Sequence, residues 1–289
     1  MQKIIVPIDF SGTSADALRF GCYLADVTGY DLEAVHIHDG YDGDEAFVIK
    51  KGSARIRGRV RERLEKFVAE HTDAQTFTGS LGADGDLPFI KCREEVGSAI
   101  AQLVRLGKEE DTALIVMGGV GSGIPSRVTP VFGSVAKGVA TQAECPVLLV
   151  PQNAGVPQIK QAAIAFDEVR NLVVLSDKTA FLQKGLAPHM RFTHVLYHGE
   201  SASEVPELNL LREVLRKDFP HYAVDFDLLP PGNVTDTLID YSLERDIDLL
   251  ILGRHQRSFF DLLINGSEIP EIIGSCGIPL LIVPLTGEI

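Results

Sequence analysis

Two segments of this chain, GSVAKGVATQAECPVLLVP and GSEIPEIIGSCGIPLLIVP, follow one plan: Gly-Ser, a helix-length stretch, a proline and a short apolar run. Gly133 to Pro146 and Gly266 to Pro279 are each thirteen steps apart, so the two segments are in register. An internal duplication constrains the fold strongly, because each copy must be one supersecondary plan carried out twice. The correspondence extends backwards. Residues 162–166 (AAIAF) lead to Asp167 as IIVPI leads to Asp9, 193–197 answers 32–37, and LLILG at 249–253 answers ALIVMG at 113–118. Between the copies, PQNAGVPQIKQ at 151–161 has the composition of a linker, which gives expected domains 1–151 and 160–289.

Within each copy, short apolar runs alternate with helical patterns, as in βαβ units around a parallel sheet. In the first half the pattern predicts strands at 4–8, 32–37, 113–117 and 147–150, and a weak one at 75–78. Helices are predicted at 13–27, 53–70, 96–107 and 133–143. The expected fold is α/β: two tandem doubly wound domains, each a five-stranded parallel sheet with helices on both faces.

With 289 residues and a hydrophobic fraction of 45%, there is material for two cores. A net charge of −13 opposes binding to nucleic acid, which depends on clustered Lys and Arg. The basic stretch 50–64 continues into an amphipathic helix with Ile56, Val60, Leu64 and Phe67 on one side, and is read as a solvated helix face. No apolar run reaches membrane-spanning length, and the opening MQKIIVPIDF is broken by Pro7 and Asp9, so no signal peptide is expected and the location expected is cytoplasmic. Cys22, Cys92, Cys145 and Cys276 are scattered and read as reduced thiols, with Cys22 on the apolar side of the first helix beside Leu18 and Ala25.

In an open parallel sheet, ligands bind beyond the carboxyl ends of the strands. After the first strand comes Asp9; after the second, His36-Ile37-His38; after the fourth, the loop GGVGSGIPSRVTPVFGS. Gly118, Gly119, Gly121 and Gly123 let main chain approach a polyanion, and Gly133-Ser134 opens the next helix, whose N-H groups make a seat for phosphate. The motif is neither GxxxxGK[ST] nor GxGxxG. His36 and His38 share a strand face, but two ligands do not make a metal site. Ser134 has no evident His/Asp partner and is read as helix cap and phosphate donor.

Taken together, Gly118-x2-Gly121, Gly133-Ser134, Cys145-Pro146-Val147 and the opening VPIDFS resemble the signature of the universal stress protein family, Gly-x2-Gly-x9-Gly-[Ser/Thr]. The resemblance implies an adenine nucleotide, ATP or AMP, in the first domain. Pro7 and Asp9 would lie near ribose and phosphates, with Mg²⁺ as a companion to Asp9, while the main chain of Ile37 would read adenine. Met117, Gly118, Gly121, Ser122 and Gly123 would form one side of the phosphate seat, and Gly133, Ser134 and Val135 the other. One departure is that eleven residues separate Gly121 from Gly133, two more than in the family pattern.

The second copy departs further. Gly253-Arg254-His255-Gln256 stands where Gly-x2-Gly is expected, and Asp167 is followed by Glu168-Val169-Arg170. Arg254, His255 and Arg257 read either as an anion site held by charge or as a solvated basic loop. In the family the last strands of two domains pair, which implies an internal pseudo-dimer and leaves a homodimer open. The expected function is a regulatory stress-response protein with slow ATP hydrolysis at most. The alternative is an interaction module of the same fold that binds no nucleotide.

Overall fold

Ile4, Ile5 and Val6 are buried in succession, as are Leu114, Ile115 and Val116. A strand can hide consecutive residues only if both sheet faces are covered. The computed structural model describes residues 2–38, 53–72, 89–119, 132–152, 154–155, 157–167, 171–196, 199, 213, 217, 224–255 and 268–285. Among these residues the chain divides into two compact units, the first ending at Pro157 and the second beginning at Gln158.

The first unit runs β1 (Lys3–Pro7), α1 (Gly12–Thr28), β2 (Asp31–His38), α2 (Ser53–His71), β3 (Ile90–Val96), α3 (Ala99–Leu106), β4 (Thr112–Gly118), α4 (Ser134–Gln142) and β5 (Val147–Val150). Its strands are all parallel, in the order β3-β2-β1-β4-β5. Right-handed crossovers then put α1 and α2 on one face and α3 and α4 on the other. The side chains agree. Val6 and Leu32 lie against Gly21 of α1, whereas Ile115 lies against Gly107 after α3.

Local sequence explains the helix ends. The Ser11 hydroxyl caps α1 by accepting from Ser14 N-H, and Gly29 at φ 69° closes it, its N-H donating to the Ala25 carbonyl. Between these caps Leu18, Phe20 and Leu24 are buried, each contributing about 1.5–3 kcal/mol. Cys22 is fully buried beside Leu18 and Ala25, and that burial pushes its thiol up to about 12. In α2, Leu64 and Phe67 are buried while Arg61–Glu65 and Lys66–Glu70 pair along the solvent side.

The third strand corrects the sequence expectation. It is Ile90–Val96, so Val96 ends a strand and does not begin a helix, and α3 starts only at Ala99 after Gly97 at φ 133°. The expected strand at 75–78 lies outside the described residues. As the edge of its unit, β3 carries Lys91, Arg93 and Glu95 along one face, so no apolar run marks it.

The second unit runs β6 (Gln161–Ala165), α5 (Asn171–Lys178), α6 (Ala180–Gly185), β7 (His189–Val195), β8 (Val224–Leu229), α7 (Val234–Glu244), β9 (Leu249–His255), α8 (Glu268–Ser275) and β10 (Leu280–Leu285). The order β8-β7-β6-β9-β10, again all parallel, reproduces that of the first unit.

The copies hold their edge strands by the same charge triad with the signs exchanged. In the first, Glu33 of β2 is 2% exposed and lies 2.9 Å from Lys91 and 3.7 Å from Arg93, both of β3. In the second, Arg191 of β7 lies 3.1 Å from Asp225 and 3.3 Å from Asp227, both of β8. The positions are equivalent: Glu33 stands opposite Ile5 and Lys91, and Arg191 opposite Ala163 and Asp225. Each edge strand therefore carries charges matched to its own neighbour and opposed to the corresponding neighbour in the other copy.

Candidate functional site

The order β3-β2-β1-β4-β5 reverses direction between β1 and β4, and in such sheets the crevice for a ligand opens there, beyond the carboxyl ends. In the first unit the matched pairs of these two strands end at Ile5 and Ile115. Pro7 stands above that point. Strand alternation turns Ile8 N-H toward Val35 of β2 and so turns Pro7 toward β4, where a residue without an N-H cannot donate the next rung and the ladder ends. In the second unit the equivalent pairing continues to Ala165 and Leu252, two positions further. The crevice of the first unit opens beyond the strand ends, past the rung that Pro7 cannot make.

Asp9 stands at its mouth, exposed. Its Oδ1 accepts from the Ser11 N-H at 2.9 Å and the Ser11 hydroxyl at 2.5 Å. Partial desolvation would raise the carboxyl, but these hydrogen bonds outweigh it and hold Asp9 below the ordinary carboxylate value. Phe10, at φ 65°, makes the turn between them in the left-handed region that few side chains enter. Its ring is pinned by the Arg63 guanidinium 3.9 Å above it, by His36 at 4.6 Å and by Phe67 edge-on at 5.6 Å.

A chain of contacts joins this turn to β4. The Ser11 hydroxyl is 2.8 Å from the Thr13 hydroxyl, and Thr13 main chain lies directly against Gly118. A methyl group on Gly118 would stand 2.2 Å from the Thr13 carbonyl oxygen. Glycine at 118 is therefore required for α1 to dock on the end of β4, in addition to any role toward a ligand. Met117, just below, is buried, and Gly119 N-H donates to the Val150 carbonyl.

As a crossover between parallel strands, α4 starts on the carboxyl edge of the sheet. Gly133 is its N-cap, with extended backbone at φ −74° and ψ 173°, so Ser134 is the first helical residue and not the cap expected of it. Ser134 and Val135 are exposed there. Their main-chain N-H groups belong to the first turn, whose donors have no partner within the helix. Gly121, Ser122 and Gly123 lie outside the described residues, as do Gln256, Arg257 and the segment 168–170.

The end of β2 completes the mouth. Ile37 is two residues beyond Val35 and, by strand alternation, turns its main-chain groups to the same side, where β1 has turned away. His36 and His38 lie on the other side of the pleat with rings 5.8 Å apart. His36 Nδ1 is bonded to the Ile8 carbonyl and His38 Nε2 to Glu94 Oε1 at 2.8 Å. Among the described residues no group of three or more His, Cys, Asp or Glu is arranged to hold a metal.

The structure thus joins Asp9, Gly118 and the α1 cap through Ser11 and Thr13, two residues that follow the first strand in the sequence but were given no role at the site. Their signal was a run of hydroxyl side chains at a strand-to-helix turn.

The sequence profile of the universal stress protein family matches residues 1–151. The chain belongs to the universal stress protein family. Universal stress protein G of Salmonella typhimurium is 30% identical over 151 residues, which is 52% of this chain and 98% of that protein. Universal stress protein G of Salmonella typhi matches with the same figures. In structure, a universal stress protein from Archaeoglobus fulgidus DSM 4304 superposes with a TM-score of 0.70 at 18% identity, covering 98% of each chain, a likeness of fold. Among the described residues of this universal stress protein, no helix is long and apolar enough to cross a membrane.

Proposed function

We propose that the first unit of this universal stress protein binds an adenine nucleotide, ATP or AMP, and acts as a regulator and not as a metabolic enzyme. The observation that carries this reading is the gathering of Asp9, Gly118 and the unpaired edge of Ile37 at the carboxyl ends of β1, β4 and β2, where the strand order reverses. The residues fit the group. The main chain of Ile37 presents an N-H and a carbonyl of the kind that matches the adenine edge, and the first turn of α4 offers donors to phosphate without positive side chains. This suits a chain of net charge −13. Asp9, ionised and held in place by Ser11, would repel phosphate alone, and a Mg²⁺ ion held there would supply the countercharge.

The second unit is read as a degenerate copy. Arg254 stands where the first unit has Gly119, and Gln256 where the family pattern has glycine. One strong site per chain is expected. Isothermal titration with ATP, with and without Mg²⁺, tests this, together with mass spectrometry of protein purified without added ligand. Binding at a stoichiometry near one supports the reading. No binding of ATP or AMP under either condition defeats it in favour of an interaction module of the same fold.

A further inference from the structure

The ladder between β1 and β2 ends with Ile8 N-H donating to the Val35 carbonyl at 2.8 Å. A parallel ladder would continue with Ile37 N-H donating to the Ile8 carbonyl. That rung is not made. The Ile8 carbonyl accepts instead from Nδ1 of His36 at 2.7 Å, and Ile8 falls outside β1. We propose that His36 is a positioning residue for base recognition: its imidazole withdraws the Ile8 carbonyl from the ladder and so keeps the main-chain N-H of Ile37 turned to the crevice. The proposal rests on the nucleotide reading above and adds to it the device that keeps the base-reading edge open.

Two further observations support it. The His36 ring is held from both sides, by Phe10 at 4.6 Å and by His38 at 5.8 Å and an interplanar angle of 14°, and His38 is itself tied to Glu94. Donation to a carbonyl also fixes the tautomer with hydrogen on Nδ1. The second unit repeats the bond. Phe166 N-H donates to the Thr193 carbonyl at 3.1 Å, and His194 Nδ1 is 3.0 Å from the Phe166 carbonyl, with the same separation of 28 residues. The neighbours differ, Ile8 against Phe166 and Val35 against Thr193, yet the histidine and its carbonyl are common to both copies.

The chemistry implies base selectivity. Adenine offers an acceptor at N1 and an amino donor at N6, which match an N-H and a carbonyl on one strand edge. Hypoxanthine offers the reverse pair. The test compares the parent with His36→Phe, which fills the ring space without a donor, and His36→Asn, whose amide nitrogen stands close to where Nδ1 was. Amide exchange is measured on ligand-free protein, and ATP and inosine triphosphate are titrated into each.

The Ile37 amide should exchange readily in the parent and in His36→Asn, and gain about tenfold protection or more in His36→Phe as the missing rung forms. ATP binding should weaken about tenfold in His36→Phe, with loss of preference over inosine triphosphate, and persist in His36→Asn. An Ile37 amide already protected in the parent, or a His36→Phe variant that keeps the parent's preference, overturns the inference while leaving the nucleotide site intact. A parent that binds neither triphosphate overturns the nucleotide reading itself, and the proposed role in base recognition falls with it.

Discussion

Gly118 and Thr13 stand so close that a methyl group at 118 would lie 2.2 Å from the Thr13 carbonyl oxygen and 3.1 Å from the Ser14 nitrogen. The obstacle is main chain at the start of a helix, not the flexible end of a side chain. Either α1 must move or β4 must bend. Gly118→Ala should therefore destabilise the first unit by about 1–3 kcal/mol or more, read as a fall in melting temperature. Gly12→Ala is the matched control. An added Cβ there meets nothing within 4 Å, and the position is helical, so stability should hold or rise slightly.

The exchanged charges of the edge strands give a second expectation. Arg191→Glu would set three carboxylates together with Asp225 and Asp227, at a site where Arg191 is only 16% exposed. A loss on the order of 3 kcal/mol is expected from removing one partner of such a pair. Adding Asp225→Lys and Asp227→Arg gives the second unit the charge set of the first, and should recover part of the loss. Tyr241 limits that recovery, because its hydroxyl donates to Asp227 at 2.7 Å and would lose its acceptor. Chemical denaturation of the single and triple variants measures both effects.

Asp9 links stability to acid. Its carboxyl is held below the ordinary value in the folded chain, so the folded state favours the ionised form. The associated stability is fully present above the ordinary carboxylate pKa and is lost as pH falls through the depressed folded value. Ser11→Ala removes both the hydroxyl that donates to Asp9 and the cap on α1. A cost of about 1 kcal/mol at neutral pH is expected from the cap. In a carboxyl titration followed by NMR, Asp9 should move up toward the ordinary range. An Asp9 titration unchanged by Ser11→Ala would show that the depression has another source.

Much of this architecture is legible in the sequence, for a physical reason. Strands such as Ile4–Val6 and Val147–Val150 lie between two helical layers, so their burial appears directly as apolar runs. The edge strand escaped because its partners are charges on β2 and in the turn after α3, among them Glu33 and Glu109, and a cross-strand ion pair leaves no local period. The positions proposed for the candidate site were legible for a related reason. Asp9, Ile37 and Gly118 sit at strand ends, where the parallel-sheet rule directs attention. That Gly118 serves the docking of α1, and that His36 reaches the carbonyl of Ile8, are contacts across 105 and 28 residues. No window of sequence contains either.

The last expectation tests how phosphate is held. In the motif Gly118-x2-Gly121, glycine at 121 lets main chain approach a polyanion without a Cβ between them. If N-H groups near Gly121 and at the start of α4 hold the phosphates, Gly121→Val should weaken ATP binding by about 1–3 kcal/mol, or roughly ten- to a hundredfold. Adenosine, which has no phosphate, should lose much less. The comparison between the two ligands separates a damaged phosphate seat from a general loss of stability, since the latter would weaken both. Gly118→Ala cannot serve the same purpose, because its methyl group collides with Thr13 and unsettles α1 before any ligand arrives. Should Gly121→Val remain folded and bind ATP as tightly as the parent, the phosphates are held elsewhere. The two extra residues between Gly121 and Gly133 would then be the first place to look, by shortening that segment to the family spacing and repeating the titration.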